Sequence, residues 1–178
     1  MKNKSIIIIC GDPESTFNEI LIKTLKNQVS NNIKFPIVLI CSQNLFQNEI
    51  QKFKKKITLR KFENQKKLDK KNVYIIDIPL DYKNLTSAKK NSYIKKSFEI
   101  GLDLLKKNRS SALINGPISK TTFLRGKYNG ITEYLAFKTK SFNEVMLIFN
   151  RELSVSPMTT HIPINNVAQK IKKKNDYK

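Results

Sequence analysis

The 178 residues include one histidine, His161, which follows a Thr-Thr pair in residues 155–164, "VSPMTTHIPI". Imidazole is the commonest metal ligand and general acid or base in proteins. A lone histidine with no Cys, His, Asp or Glu beside it cannot complete a metal site by itself. No serine lies in a Gly-x-Ser-x-Gly turn, so a Ser-His-Asp hydrolase has no support. A hydrogen-bonded structural role is the alternative for His161.

A second stretch with possible chemistry is "NGPISKTT", residues 115–122. Gly116 permits a close backbone approach, and Pro117 stiffens the turn. Lys120 is suited to meet a phosphate as a point charge. The stretch also opens a helix, whose free amides favour anions. The alternative is that Lys120 is one more solvated lysine.

Two further loops are less specific. Residues 10–16, "CGDPEST", have one glycine where the dinucleotide-binding fingerprint has three, so they do not form that motif. Residues 130–135, "GITEYL", place Thr132 where it could cap a helix. Both loops also fit a purely structural role.

Strands and helices alternate around these loops. Short apolar runs predict buried parallel strands, and apolar residues at helical spacing predict helices between them. The predicted strands are 5–10, 35–42, 57–62, 73–79, 111–115, 144–150 and 153–161. The predicted helices are 15–28, 43–55, 85–107, 121–125, 132–140 and 163–173, and the lysine-rich residues 64–72 predict a surface loop.

This order predicts an α/β fold, an α/β/α sandwich on a mostly parallel sheet. The last two strands follow each other closely, which predicts some antiparallel pairing and hence a partly mixed sheet. We expect residues 1–178 to form a single α/β unit. In such sheets ligands bind beyond the carboxyl ends of the strands, where the candidate loops lie.

The net charge is +20, from 34 basic and 14 acidic residues. A basic face that binds nucleic acid is one explanation. The alternative is compositional, because lysine, asparagine and isoleucine, all encoded by A/T-rich codons, are frequent throughout. Nucleic-acid binders favour arginine, and only four residues are arginine: Arg60, Arg109, Arg125 and Arg151. Nucleic-acid binding is therefore disfavoured, although such a field would still attract a phosphorylated substrate.

The two cysteines, Cys10 and Cys41, lie in predicted strands and form neither a disulfide framework nor a zinc motif. We interpret them as small core residues in a reducing cytoplasm. The apolar run near the start spans only residues 6–10, which is too short for a signal core or a membrane span. A cytoplasmic protein without membrane association is expected.

Taken in order, "GDP" after the first strand, "INGPISK", "G-x-TEYL" and "TTHIPI" resemble the 4-hydroxythreonine-4-phosphate dehydrogenase family of pyridoxal phosphate biosynthesis. The resemblance runs from residue 6 to about residue 172. It implies a fold of the isocitrate/isopropylmalate-dehydrogenase type, with two lobes, acting as a homodimer. This chain would correspond to the N-terminal half of that two-lobed chain.

The resemblance also implies an activity. The family oxidises 4-phosphohydroxythreonine with NAD or NADP, and the product then loses carbon dioxide. A divalent metal (zinc, magnesium or cobalt), held by three histidines, polarises the substrate hydroxyl. His161 corresponds to one of those metal ligands, Thr132 to a substrate contact and Lys120 to an anion contact.

This sequence departs from the family pattern. Ile131 stands where the family has a substrate-contacting histidine, and isoleucine cannot form a hydrogen bond through its side chain. The family's glycine-rich "GIGPE" is replaced by "STFNE", residues 15–19. The other two metal-ligating histidines belong to a second half that this chain lacks. The alternative to an active enzyme is a truncated, inactive lobe, which would pair as a homodimer or with the missing C-terminal half.

Overall fold

The structure is a computed structural model, and it describes residues 5–29, 35–63, 68–107, 110–141 and 144–171. The chain divides into two compact units, Met1–Phe123 and Leu124–Lys178. The expectation that residues 1–178 act as a single unit stays a prediction.

The first unit is built on a parallel sheet. Its strands are β1 (Ser5–Ile9), β2 (Ile37–Cys41), β3 (Leu59–Lys61), β4 (Val73–Asp77) and β5 (Ser110–Asn115). Its helices are α1 (Phe17–Val29), α2 (Gln43–Lys52) and α3 (Ser87–Lys106), and a π-helical turn follows at Lys120–Leu124. The strand order is β3-β4-β2-β1-β5, and every pairing in this sheet is parallel.

Isoleucine, valine and leucine fill the central strands because both faces of the sheet are covered. Alternate residues point to opposite faces. Ile8 and Leu39 pack in one cluster with Leu21 and Ile22 of α1 and with residues of α2. On the other face, a Cβ built on Gly101 of α3 would lie 3.0 Å from Cδ1 of Ile9. The predicted α/β/α layering is therefore confirmed for the first unit.

The apolar stripe of α3 differs slightly from the prediction. Ile94 and Phe98 are buried as expected, but Leu104 is buried where the pattern favoured Leu102 and Leu105. The helix begins after Thr86, whose side chain accepts a hydrogen bond from the Lys89 amide at 3.3 Å. The predicted stripe is therefore one residue off at the C-terminal end of α3.

Part of the predicted lysine-rich surface loop is buried. Residues 64–67 lie outside the described residues, but Leu68 is buried and packs with Val38 and Tyr74. The Tyr74 hydroxyl accepts a hydrogen bond from the Asp69 amide at 2.9 Å. The prediction missed this anchor because one leucine among lysines gives no periodicity.

The second unit has short elements. They are α4 (Ile131–Thr139), β6 (Ile148–Phe149), β7 (Ser154–Val155), a 3-10 turn at Ile164–Asn166 and α5 (Val167–Lys170). The expected antiparallel pair exists, but it forms a separate two-stranded sheet of two residues per strand. The final helix is shorter than predicted, and residues 172–173 of that prediction lie outside the described residues.

Cys10 and Cys41 are buried and free, as predicted. Among the described residues, no helix combines the length and apolar character that crossing a membrane requires. The cytoplasmic location expected from the sequence stays a prediction.

Candidate functional site

Two of the predicted loops meet at the carboxyl edge of the sheet in the first unit. β5 lies on one side of β1 and β2 lies on the other, so the chain continues from β1 to β2, away from β5. Such a reversal of strand order is where open α/β sheets bind ligands. The Gly116 amide donates to the Ile9 carbonyl at 2.7 Å, and the Asp12 amide donates to the Pro117 carbonyl at 2.8 Å.

Both loops need glycine at their crossing. A Cβ on Gly11 would lie 2.3 Å from the Pro117 carbonyl oxygen, and the backbone there has φ +75°. A Cβ on Gly116 would lie 2.3 Å from the Cys10 carbonyl oxygen. The close backbone approach predicted for Gly116 is therefore confirmed, and the backbone that approaches it is that of the loop after β1. We call this contact the glycine crossing, formed by Gly11 and Gly116.

Lys120 begins the π-helical turn beyond this crossing, and its side chain is exposed. The preceding Ser119 hydroxyl accepts from the Thr122 amide at 3.2 Å and is 3.1 Å from the Thr121 hydroxyl. In the loop after β1, Glu14 forms a 2.6 Å ion pair with Lys90 of α3, which raises the pKa of Lys90. These contacts fix the loops, and they leave the Lys120 ammonium open to an anion from solution.

The end of β2 carries buried groups that stay neutral. The Tyr93 hydroxyl accepts a hydrogen bond from the Ser42 amide at 3.0 Å, and burial raises the pKa of Tyr93. A hydrogen bond with Cys10, together with burial, raises the pKa of the Cys41 thiol well above its usual range. Since the thiolate is the reactive form of cysteine, Cys41 is a poor nucleophile near neutral pH.

The second unit contains an open pocket of about 390 Å³. Its lining combines polar, acidic and apolar side chains. The lining residues are Thr132, Glu133, Glu144, Val145, Met146, Ser156, Pro157, Met158 and Thr160. The predicted substrate contact, Thr132, therefore lies in a cavity, and Thr160 brings the Thr-Thr-His stretch to the same cavity.

His161 lies beside the start of α4. A Cβ built on Gly130 would be 3.8 Å from the His161 Nε2 atom and 3.1 Å from the Glu133 Oε2 atom. His161 is exposed, and its backbone has φ +55°, in the left-handed region that few residues other than glycine adopt. The imidazole and the carboxylate therefore both lie close to Gly130, but they do not form a hydrogen bond with each other in this structure.

The helix start differs from the prediction for Thr132. Gly130, not Thr132, is the N-cap of α4, and no side chain caps this end. Thr132 lies in the first turn, so its hydroxyl is not engaged as a cap. Ile131, where the family has histidine, is half-buried at the first helical position.

The structure thus brings Thr132 and His161 together around Gly130, while Lys120 belongs to the first unit. Sequence reasoning missed Glu133, which adjoins Thr132 in the same motif. A carboxylate in the first turn of a helix is typical of any helix start, so its type and position gave no distinct signal.

The donor groups of this chain fit a divalent cation only in part. His161 offers an imidazole, and Glu133 is a neighbouring carboxylate. Within the described ranges, no group of three or more His, Cys, Asp or Glu side chains is placed to hold a metal. These residues therefore fit as part of a ligand set, and the remaining ligands must come from elsewhere.

The first unit is an open, parallel α/β sheet, which places it in the class of α/β proteins that bind ligands at the carboxyl ends of their strands. The chain belongs to the family of the pyridoxal phosphate biosynthetic protein PdxA, whose family model matches residues 33–178. This confirms the family predicted from the loop motifs.

Named relatives agree with this assignment. A 4-hydroxythreonine-4-phosphate dehydrogenase of Sulfurihydrogenibium sp. (strain YO3AOP1) is 27% identical over 94% of this chain and 53% of its own length. Another, from Aquifex aeolicus (strain VF5), is 26% identical over 96% of this chain and 54% of its own length. The crystal structure of a 4-hydroxythreonine-4-phosphate dehydrogenase from Burkholderia phymatum shares the fold, with TM-score 0.77 and 23% identity over 95% of this chain and 53% of that one. The chain therefore spans about half the length of these relatives.

Proposed function

We propose that this chain forms part of a dehydrogenase that oxidises 4-phosphohydroxythreonine with NAD or NADP, after which the product loses carbon dioxide. The observation that carries the proposal is the meeting of Thr132 and His161 around Gly130, in a chain of the PdxA family. The substrate follows from the names of the relatives. When bound, a divalent metal (zinc, magnesium or cobalt) would polarise the substrate hydroxyl, and the nicotinamide would accept the hydride.

The chain's own residues have distinct tasks in this proposal. The Thr132 hydroxyl hydrogen-bonds a polar group of the substrate inside the pocket, since no helix cap occupies it. His161 supplies one imidazole toward the metal. Lys120 contacts the anionic end of the substrate as a point charge, an assignment based on the resemblance and on its exposure. Ile131 contributes only an apolar surface where the family has a histidine.

The activity requires the second half of the relatives in this proposal. A second copy of residues 1–178 would add only another His161, because this sequence has one histidine. Three histidines, as the resemblance implies, therefore need residues that correspond to the second half of the relatives. We propose that this half, whether it is joined to residues 1–178 or supplied as a separate polypeptide, packs on them.

The surface of the second unit supports a partner. Apolar side chains around the β6–β7 hairpin are exposed: Val145, Leu147, Ile148, Phe149, Leu153, Val155 and Met158. Exposed apolar patches on soluble proteins typically mark protein contacts. A two-stranded hairpin is also only marginally stable without further packing. Because Val145 and Met158 also line the Thr132 pocket, a partner on this surface would help to enclose it.

The test is NADH or NADPH formation from 4-phosphohydroxythreonine with Zn²⁺, Mg²⁺ or Co²⁺. The chain is assayed alone and after co-expression with the C-terminal half of the Aquifex aeolicus relative. We expect activity only from the co-expressed pair, with large losses in His161→Ala and Thr132→Ala. Thr139→Ala is the matched control, because Thr139 ends the same helix and bonds the Leu135 carbonyl at 2.8 Å.

The outcomes separate the hypotheses. Activity of the chain alone would overturn the requirement for a partner. A folded, associated pair without turnover would overturn the enzymatic proposal and favour an inactive lobe. Equal losses in Thr132→Ala and Thr139→Ala would overturn the role of Thr132.

A further inference from the structure

The geometry points to Glu133 as a positioning residue for His161: its carboxylate accepts a hydrogen bond from the imidazole across the space above Gly130. This inference rests on the proposed function for its purpose, because an oriented imidazole matters most to a cation or substrate. Whether the hydrogen bond forms can be measured without turnover.

The first observation is the space above Gly130. The Glu133 Oε2 and His161 Nε2 atoms lie 3.1 Å and 3.8 Å from the position that a Cβ there would occupy. Gly130 has φ −164°, which any residue can adopt, so its conformation does not require glycine. The lack of a side chain instead leaves room beside both groups.

The second observation is the state of the Glu133 carboxylate. Its Oε2 atom is buried and has no hydrogen-bond partner among the described residues. A buried carboxylate oxygen without a donor is unfavourable, so such oxygens normally have partners. The nearby imidazole nitrogen of His161 is a suitable donor, because Nε2 carries a proton in one neutral tautomer.

The third observation is how His161 is held. Its backbone is fixed at φ +55° while its side chain is exposed. Non-glycine residues in this conformation cluster at functional sites. The structure itself does not contain this hydrogen bond, so the inference requires that the exposed ring turns toward Oε2.

The consequence for the site is a defined imidazole. Histidines that bind metals almost always donate their other ring nitrogen proton to a carboxylate, a carbonyl or water, which fixes the ring and its tautomer. With Nε2–H directed to Glu133, the Nδ1 lone pair would face outward to a cation or a substrate proton. Glu133 thus acts through His161 and is not itself required to touch the ligand.

The experiment uses the full chain without metal, substrate or cofactor. The single histidine is labelled with ¹⁵N, so only one imidazole contributes to the spectrum. We expect a His161 Nε2 proton whose exchange with water is slow enough to be observed. Glu133→Ala should abolish that signal, Glu133→Gln should retain it in part, and Gly130→Ala should weaken it, because the new methyl group would lie 3.1 Å from Oε2. Glu152→Ala is the matched control, since Glu152 is an exposed carboxylate of the same unit and lies outside the pocket lining.

A second readout is Co²⁺ titration followed on the same imidazole signals. We expect Glu133→Ala to weaken binding by about tenfold, the lower end for loss of an outer partner of a metal ligand, and Glu152→Ala to leave it unchanged. A parent Nε2 proton that exchanges as fast as in free imidazole would overturn the inference. Identical spectra of the parent and Glu133→Gln and Glu133→Ala would do the same. Failure of the dehydrogenase assay leaves these readouts intact, because neither uses substrate or nicotinamide.

Discussion

The two units of this chain differ in how they hold themselves together. The first unit buries both faces of a five-stranded sheet, with Ile7, Ile9 and Phe98 fully buried. The second carries Thr132 and His161 on short elements, and Phe149 of its hairpin is 73% exposed. Stability is therefore concentrated in the first unit, and the candidate Thr-His site belongs to the one with little core of its own. A surface that a partner covers in a complex is expected to be exposed and loosely packed in the isolated chain.

The largest effect should come from truncating the core of the first unit. Phe98→Ala should lower the free energy of unfolding by about 3–5 kcal/mol, because it leaves a cavity under α3. Phe149→Ala should change it by less than about 0.5 kcal/mol in the isolated chain, because the ring is exposed. Urea denaturation followed by circular dichroism measures both. Similar losses in the two variants would show that the hairpin has a core after all.

The glycine crossing should give the next largest effect. Gly116→Ala should destabilise by about 2–3 kcal/mol, because the new methyl group would overlap the Cys10 carbonyl and the Phe17 ring. Gly126→Ala is the control in the second unit: nothing lies within 4 Å of its Cβ position, and only the backbone at φ +68° opposes the change. We expect about 1 kcal/mol there. Chemical denaturation of both variants ranks them, and a reversed ranking would contradict the crossing.

Loss of one buried hydrogen bond should have a smaller effect. Tyr93→Phe leaves the buried Ser42 amide without its acceptor, so we expect a loss of about 1–2 kcal/mol. Tyr82→Phe serves as the control, because Tyr82 is 51% exposed. Thermal and urea unfolding of the two variants should separate them. Equal stability would mean that water replaces the lost contact.

The last predicted effect on stability appears only at alkaline pH. The pKa of Cys41 is raised in the folded chain by its hydrogen bond with Cys10 and by burial, so its stability contribution is complete below the unfolded thiol value. Since that value is near 8.5, stability should fall above it by about 1.4 kcal/mol per pH unit. Cys41→Ala should flatten this fall, as measured by urea unfolding between about pH 8 and 10. An unchanged slope would show that other groups control it.

Binding of the second half of a relative tests the difference between the two units. Phe149→Ala should weaken association with the co-expressed second half of a relative, whereas Tyr82→Ala, an exposed aromatic of the first unit, should not. Isothermal titration of the purified partners measures both. Equal weakening would place the contact outside the hairpin.

Much of the fold followed from local patterns. Runs such as residues 37–41 are apolar on both faces and predicted buried strands correctly, since only a covered parallel sheet accommodates them. Leu68 and the separate hairpin escaped prediction, because tertiary packing and not periodicity decides them. In the site, the motifs pointed to Thr132 and His161. The positions of Glu133 and His161 beside Gly130 depend on tertiary packing that no local pattern encodes.

The pairing of β1 with β5 also sets the order in which the chain is able to fold. The Ser5 and Ser110 hydroxyls lie 2.8 Å apart although the residues are 105 positions apart in sequence. Synthesis proceeds at about 5–20 residues per second, so β5 emerges several seconds or more after β1. Until β5 emerges, an isoleucine-rich strand edge is open to other chains. Nascent chains interrupted before Ser110 should therefore be the species most prone to aggregate and most dependent on chaperones.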